Sequence, residues 1–366
     1  MLAALLALQA DDIDRWIGKL GDAELAIRDE ATQKLIGAGE AAVPRVRKQL
    51  ESSDPEVRAR ARRILDARPP EFERLKDRDI ESAERFAFAP DGSAVACFDK
   101  DRQLQVIDLA AGKVRFSIQT RRRTSDGRWE RSAPCWTADG LLAETEEGAE
   151  GSLRKIDAAT GAVGEVAVTW RGNRPAAAIR IIPTGDALVS AGGQLHVYFS
   201  KMAKSYFLPR ASHGVMSDDG ARIVGITGQG ATSDVGVYVA YGSWKNMARA
   251  ELKGWVDMIV ATPNLGRITT GGRGGTFLAQ IDAESLAETL RVELKAKLSS
   301  LAMRPDGKWL LVGTEDGKLG LYDPAKLAPV AEIDLLGEAP QFAASTEDGS
   351  VVGVLAGGKI RLYRRK

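Results

Sequence analysis

The chain has 366 residues, too many for one ordinary hydrophobic core, so it is expected to divide into domains or to be built from repeats. Its 51 basic and 50 acidic side chains nearly cancel, which removes any global attraction to nucleic acid or an anionic membrane and leaves only local electrostatic recognition. Two cysteines, Cys97 and Cys135, are too few for a disulfide framework and lack zinc-site spacing. Two histidines, His196 and His213, provide poorly for imidazole catalysis or metal binding, so no catalytic, cofactor-binding or metal-binding residue is assigned.

Met1 to Ala10 is an apolar run that meets Asp11 and Asp12. It resembles the end of a secretory signal, although it has no basic residue after Met1 and is about half the usual length. A functional signal would place the protein outside the cytoplasm, as in a periplasm; a packed first helix would leave it in the cytoplasm. The run is too short to span a membrane, which takes about 20 apolar residues.

Short helices are expected over residues 11–67. Asp22 reads as a cap, with Leu25, Ile27, Ala31 and Leu35 on one face before Gly37 and Gly39. Val43, Val46 and Leu50 recur at spacings of three and four. Asp54-Pro55 supplies a cap and a first-turn proline to a stripe of Val57, Ala61, Ile64 and Leu65, which ends near Pro69-Pro70. Arg58, Arg60, Arg62 and Arg63 read as the solvated face of that helix. The pattern of Ile27-Arg28, Val43-Pro44 and Asp54-Pro55-Glu56-Val57-Arg58 resembles about one and a half HEAT repeats, fewer than the three or so units a solenoid needs. Residues 68–71 form a linker.

From residue 72 onward a turn returns seven times: Pro90-Asp91-Gly92, Asp139-Gly140, Pro183-Thr184-Gly185-Asp186, Asp219-Gly220, Pro263-Asn264-Leu265-Gly266, Pro305-Asp306-Gly307 and Asp348-Gly349. The final glycines step by 48, 45, 35, 46, 41 and 42 residues. A propeller blade of four short strands takes about 40 to 50. Each turn lies between runs of β-branched and aliphatic residues, and Asp-Gly supplies the positive φ a tight hairpin requires. The expectation is a mainly β protein, a seven-bladed β-propeller over 72–366, with six blades if the short third repeat merges with a neighbour. The last repeat offers three strands, the third at Ile360 to Tyr363, so its fourth is expected from Phe72 to Asp77, which hides the sheet edges.

The blade rhythm resembles that of WD-repeat-like propellers. Third strands end in Val106-Ile107-Asp108, Lys155-Ile156-Asp157, Gln280-Ile281-Asp282 and Leu321-Tyr322-Asp323. The signature itself is missing: no Trp-Asp pair occurs, and two histidines cannot furnish a Gly-His element in every blade. The resemblance implies that loops joining blades and loops between second and third strands share one binding rim. Partner-binding candidates there are Arg121, Arg122, Arg123, Arg128 and Trp129 in the long loop 119–131, Trp170, Arg171 and Arg174 in the next connection, and Arg210, Gln229 and Arg273. Arginine and tryptophan are the types enriched at interface hot spots, and an arginine run grips carboxylate or phosphate in bidentate fashion. The plainer reading of that run is a solvated loop.

Gly271-Gly272-Arg273-Gly274-Gly275 and Gly228-Gln229-Gly230 lack the strand-to-helix context of a phosphate-cradling loop. Asp157-Ala158-Ala159-Thr160-Gly161 is similar to the Asp-x-x-Thr-Gly segment of quinone-cofactor propeller enzymes, but essentially in one blade. The shortage of reactive residues favours a non-catalytic interaction or scaffold protein, with no cofactor, whose partner is another protein or a peptide rather than specific nucleic acid. A quinone-dependent oxidoreductase and a purely structural module of an assembly are the alternatives.

Overall fold

The computed structural model describes residues 10–366 other than 68–69, 76–78, 82–84, 100, 102, 120–133, 138–139, 148–149, 172–175, 182–185, 192–193, 200–203, 209–210, 230–231 and 242. The signal-like residues 1–9 therefore lie outside the described residues, and Ala10 opens the first helix. Two units divide the chain, Met1–Glu71 and Phe72–Lys366.

The first unit holds α1 (Ala10–Gly18), α2 (Leu25–Gly37), α3 (Val43–Lys48) and α4 (Pro55–Asp66). Ile13, Trp16, Leu20, Leu35, Val46 and Ile64 form its core, whereas Leu25 stands exposed at the start of α2. Asp54 caps α4 by accepting the Glu56 N–H at 2.8 Å. Asp22, expected as the cap of α2, lies too early: the capping position is Glu24, and the Asp22 carboxylate instead accepts the Glu24 N–H at 3.0 Å. One device recurs on both helices: the Arg28 guanidinium donates to the carbonyls of Asp22 and Ala23, and Arg58 donates to those of Ser52 and Ser53. Arg60 departs from the solvated face expected of it. It is buried where α4 packs on α2 and is compensated by Glu56 at 2.6 Å, Asp29 at 2.7 Å and Thr32 at 3.1 Å. A charge so desolvated persists only with such partners.

Among the described residues, the second unit contains seven antiparallel sheets; six run through their strands in sequence order, and the seventh adds Phe72–Arg74 from the start of the unit. Their first strands are Phe86–Phe88, Cys135–Thr137, Ala176–Ile181, His213–Met216, Met258–Ala261, Leu298–Met303 and Phe342–Ser345. The first, or inner, strands contact the next sheet in succession, except that the third sheet meets His213–Met216 through its second and third strands, and Phe342–Ser345 touches Phe86–Phe88. The apolar core is correspondingly distributed in layers between consecutive sheets. Where the last sheet meets the first, Val351, Leu355, Ile360 and Leu362 pack on Phe86, Phe88, Val95, Cys97, Ile107 and Leu109. Phe72–Arg74 pairs with the strand Lys359–Arg365, Phe72 opposite Arg365 and Arg74 opposite Tyr363. Residues 76–77 lie outside the described residues. A further piece, Ile80–Glu81, pairs with Ile360 and Lys359, so the outermost strand of this sheet comes in two parts.

The recurring turns share one geometry. Gly92, Gly220, Gly307 and Gly349 have φ of 69°, 70°, 74° and 66°, and each N–H returns to the carbonyl three residues earlier. The preceding Asp91, Asp219, Asp306 and Asp348 accept the N–H two residues on, at 2.9 to 3.0 Å. The fifth turn differs from expectation. Leu265, not Gly266, takes the left-handed position with φ 57°, and its N–H reaches the Thr262 carbonyl at 3.2 Å. Leu265 is buried in the layer between the fourth and fifth sheets. Burying a leucine contributes about 1.5–3 kcal/mol, which outweighs a left-handed cost of roughly 1–2 kcal/mol. Of the other two turns, 139 and 183–185 lie outside the described residues.

The Asp-x-x-Thr-Gly segment belongs to a second recurring turn. Asp157 accepts the N–H groups of Ala159 and Thr160 and the Thr160 hydroxyl, and Asp282 does the same with Glu284 and Ser285. Asp108 and Asp323 cap the equivalent turns of the first and sixth sheets. The left-handed residue is Gly112 or Gly161 in two of them and Leu286 or Leu327 in the others. These hydrogen bonds give the segment a turn-capping role in four sheets.

Candidate functional site

Inner strands, joined in the third sheet by the strands Ala187–Ala191 and Gln194–Phe199, line an open cavity of about 1010 Å³. Its walls carry Leu188, Leu195, Val215, Val260, Leu301 and Met303, interleaved with the polar Thr137, Ser190 and Ser300. Charge is concentrated at the strand ends. Residues that follow inner strands bring Asp218, Arg304 and Glu347 to one end; residues that precede or open them bring Arg85, His213, Asp257 and Gln341 to the other.

The second end is the more elaborated. Asp257, just ahead of the strand Met258–Ala261, accepts the Arg273 N–H at 2.8 Å and so ties the loop between the second and third strands of the fifth sheet to the mouth. The same loop is held by Gly274 N–H to the Leu298 carbonyl at 2.8 Å and by Leu298 N–H to that of Gly275 at 2.7 Å. Arg273 is thus an exposed cation on a fixed backbone, so binding has little backbone left to order there and costs mainly the entropy of its side chain. Arg85 lies over the Phe342 ring, 5.3 Å from its centroid. His213 contacts the Ser212 hydroxyl at 3.0 Å through Nδ1. Burial holds its imidazole below the ordinary value; Asp257 opposes that shift, while Arg85 and Arg273 reinforce it. The mouth therefore combines two guanidinium groups, one carboxylate and a histidine kept neutral.

Two large apolar side chains stand out on segments leading into inner strands: Trp255 is 42 % exposed and Leu336 is 78 % exposed. Trp255 packs against Gly272, where a Cβ would overlap its carbonyl oxygen, so glycine is required there by close approach. Leu336 is held at φ 58°, with its N–H on Asp334 Oδ1 at 2.7 Å. At the opposite end, buried Arg304 donates to the carbonyls of Glu347 (3.3 Å) and Asp348 (2.6 Å), pairs with Asp306 at 3.0 Å and stacks on Trp309. That arrangement ties the first hairpin of the sixth sheet to that of the seventh.

Of the residues nominated from sequence, Arg273 reaches the mouth. Trp170 and Arg171 end the outermost strand of the second sheet, and Gln229 ends the second strand of the fourth. Arg121, Arg122, Arg123, Arg128, Trp129, Arg174 and Arg210 lie outside the described residues. Sequence reasoning missed Arg85, His213, Asp257, Trp255 and Leu336. Their common signal was position: each lies within a few residues of the start of an inner strand. Among the described residues, no group of three histidine, cysteine, aspartate or glutamate side chains could hold a metal ion, and no helix is long and apolar enough to cross a membrane.

No protein-family model matches the chain, and no curated protein matches it. Solved structures do. A chain of the "Mitotic Checkpoint Complex" aligns with TM-score 0.60 and 15% identity over 79% of this chain and 91% of that one. The Cps50 (Swd1) β-propeller domain of Myceliophteria thermophila aligns with TM-score 0.60 and 12% identity over 81% and 99%. The fold is a divergent WD-repeat-like β-propeller. A chain of Kuenenia stuttgartiensis hydrazine synthase also aligns, with TM-score 0.58 and 16% identity over 78% and 96%. At such identities the propeller scaffold is shared while its activity is free to differ.

Proposed function

We propose that this protein is a non-catalytic interaction scaffold, a seven-bladed propeller closed by Phe72–Arg74, which receives a segment of a protein partner at the mouth formed by Arg85, His213, Asp257 and Arg273. The observation that carries the proposal is the Arg273 backbone held by Asp257 beside the cavity, which sets an exposed arginine near the exposed Trp255. Arginine and tryptophan at the centre of a concave face are the types that dominate interface energetics. Two arginines against one aspartate suit a partner segment bearing carboxylates. Arg121 to Arg123, Arg128, Trp129, Trp170, Arg171, Arg174, Arg210 and Gln229 are proposed as further partner contacts on the ground of their sequence alone, most of them being arginine or tryptophan, the types enriched at interfaces. The helical unit, similar to HEAT repeats in sequence, supplies a second surface. Similar folds in the solved structures include a chain of an assembly, the mitotic checkpoint complex, which accords with a protein partner.

Affinity capture from the native host tests this. Wild-type protein should retain a defined partner, and the Arg85→Ala, Arg273→Ala double variant should lose it while unfolding at the same denaturant concentration. Equal retention by the two proteins would refute the assignment of the mouth. Cofactor absorbance with dye-linked oxidation in the purified protein would instead establish the quinone-dependent alternative.

A further inference from the structure

His213 is the member of the mouth whose hydrogen bonds decide where its proton sits. Its neighbour Ser212 is fixed in place: the Ser212 N–H donates to the Ile226 carbonyl at 2.9 Å, and the Ser190 hydroxyl donates to the Ser212 carbonyl at 2.6 Å. The Ser212 hydroxyl lies 3.1 Å from the Ile226 carbonyl and 3.0 Å from His213 Nδ1. A carbonyl can only accept, so a hydroxyl with one proton serves both contacts only by donating to Ile226 and accepting from Nδ1. The neutral ring is therefore the Nδ1–H tautomer, and Nε2 carries the lone pair. Nε2 has no partner among the described residues and is not sealed by them, and the ring lines the cavity. A lone pair there repels a carboxylate oxygen, whereas a protonated Nε2 donates to one with the assistance of charge.

We propose that the mouth is a proton-linked carboxylate site, in which His213 takes up one proton at Nε2 as it receives a carboxylate side chain of the partner segment. The inference rests on the mouth being the partner site, and it adds His213 to Arg85 and Arg273 as a group that touches the ligand. The proton comes from solvent, no covalent bond of the ligand changes, and the charged ring donates through both nitrogens, to Ser212 and to the ligand. The charged groups acting on the ring are Asp257, Arg85 and Arg273. The elements that pair with or pack on His213–Met216 are the strands Ala187–Ala191, Gln194–Phe199, Arg222–Gln229 and Met258–Ala261 and the one-turn helix Pro263–Leu265. Of their titratable side chains, His196 and Tyr198 are buried, and Arg222 lies beyond the Met216 end of the strand, with Asp186 and Asp218 in the turns at that end. Burial holds the free ring below 6.5, with Asp257 opposing the shift and the two arginines reinforcing it. A carboxylate at Nε2 favours the charged ring and raises that value. Complex formation therefore takes up a proton between the two values, so affinity rises as pH falls through that window and levels off below the free-state value.

The test uses the full-length protein and blocked peptides in which leucines, matched to the apolar walls, flank a central glutamate or glutamine. NMR of isotope-labelled histidine rings separates His213 from His196 by comparison with His213→Gln. At about pH 7.5 free His213 should be the Nδ1–H tautomer. Its titration midpoint, below 6.5 in the free protein, should rise when the glutamate peptide is added and stay in place with the glutamine peptide. The glutamate peptide should bind about threefold to tenfold more tightly at about pH 5.5 than at about pH 7.5, while its own carboxylate, which titrates near about 4.3, stays mostly ionised. The glutamine peptide should show no such gain, and His213→Gln, with its unfolding midpoint measured at both pH values, should bind the glutamate peptide equally at both. An Nε2–H tautomer in the free protein, an unmoved His213 midpoint at saturation, or an equal gain in His213→Gln overturns the role of His213; the mouth still stands as the partner site if the peptide is lost in the Arg85→Ala, Arg273→Ala variant. Binding indifferent to that double variant, or no binding at about millimolar peptide, overturns the mouth and this inference with it. Tighter binding of a glutamine peptide with a free C-terminal carboxylate than of the blocked glutamate peptide would overturn the commitment to a side-chain carboxylate.

Discussion

Replacing leucine by glycine at two left-handed positions should change stability in opposite directions. Leu336 and Leu286 both have φ 58°, but Leu336 is 78 % exposed and Leu286 is 1 % exposed. A left-handed leucine costs roughly 1–2 kcal/mol; glycine at the same place removes that strain but costs about 0.5–1 kcal/mol through the greater freedom of the unfolded chain. Leu336→Gly removes no packing, so it should stabilise by about 0.5–1 kcal/mol. Leu286→Gly also empties a core site in the layer between the fourth and fifth sheets. Loss of a buried leucine costs about 2–5 kcal/mol, which exceeds the relief of strain, and the net loss should be about 2–4 kcal/mol. Urea titration followed by tryptophan fluorescence measures both, with the slope of the transition checked for constancy. A lowered midpoint for Leu336→Gly would show that its side chain packs on something in solution, and a raised one for Leu286→Gly would show that the strain exceeds the burial. Either result refutes the reasoning. The same Leu336→Gly variant should retain less partner in the capture experiment if the exposed leucine belongs to the docking rim.

Arg304→Met should cost about 2–4 kcal/mol in urea unfolding, because the carbonyls of Glu347 and Asp348 and the Asp306 carboxylate lose their donor together; an unchanged midpoint would dismiss the tie between the two hairpins. Gly272→Ala should displace Trp255 and destabilise by about 1–3 kcal/mol, which a shift of the Trp255 resonance in fluorotryptophan-labelled protein reads directly. Acid should weaken the fold below pH 6.5. Burial holds His213 and His196 below their ordinary value of 6.5, so the unfolded chain binds more protons there, and stability falls as pH drops from 6.5 toward the folded-state values. Each histidine adds a slope of at most about 1.4 kcal/mol per pH unit. Unfolding midpoints between pH 7.5 and 5.5 should therefore decline, and His213→Gln should flatten the decline; an equal slope in that variant would assign it elsewhere. The turn aspartates Asp91, Asp108, Asp157, Asp219 and Asp282 are held below their usual 3.8, so their contribution is lost only at lower pH.

The amino-acid sequence determined what rests on neighbours in the chain. Asp91-Gly92 and Asp306-Gly307 close a hairpin because aspartate accepts an N–H two residues on and glycine takes a positive φ without penalty. Asp54 caps α4 for the same local reason. The strand runs between such turns followed, and with them the blade rhythm and the propeller class. Tertiary structure decided whatever depends on distant partners. Leu265 displaced Gly266 because the adjoining sheet buries it, Arg60 left the solvent because Asp29 on another helix receives it, and Ile80–Glu81 became a strand only through Ile360 and Lys359. The site follows the same division. Arg273 was legible as an arginine between two strands, but Arg85, His213 and Asp257 come from the first, fourth and fifth repeats and carry no shared motif. Only the packing of successive sheets brings them to one mouth, since side chains so far apart in sequence meet through sheet packing and not through any local preference of the chain.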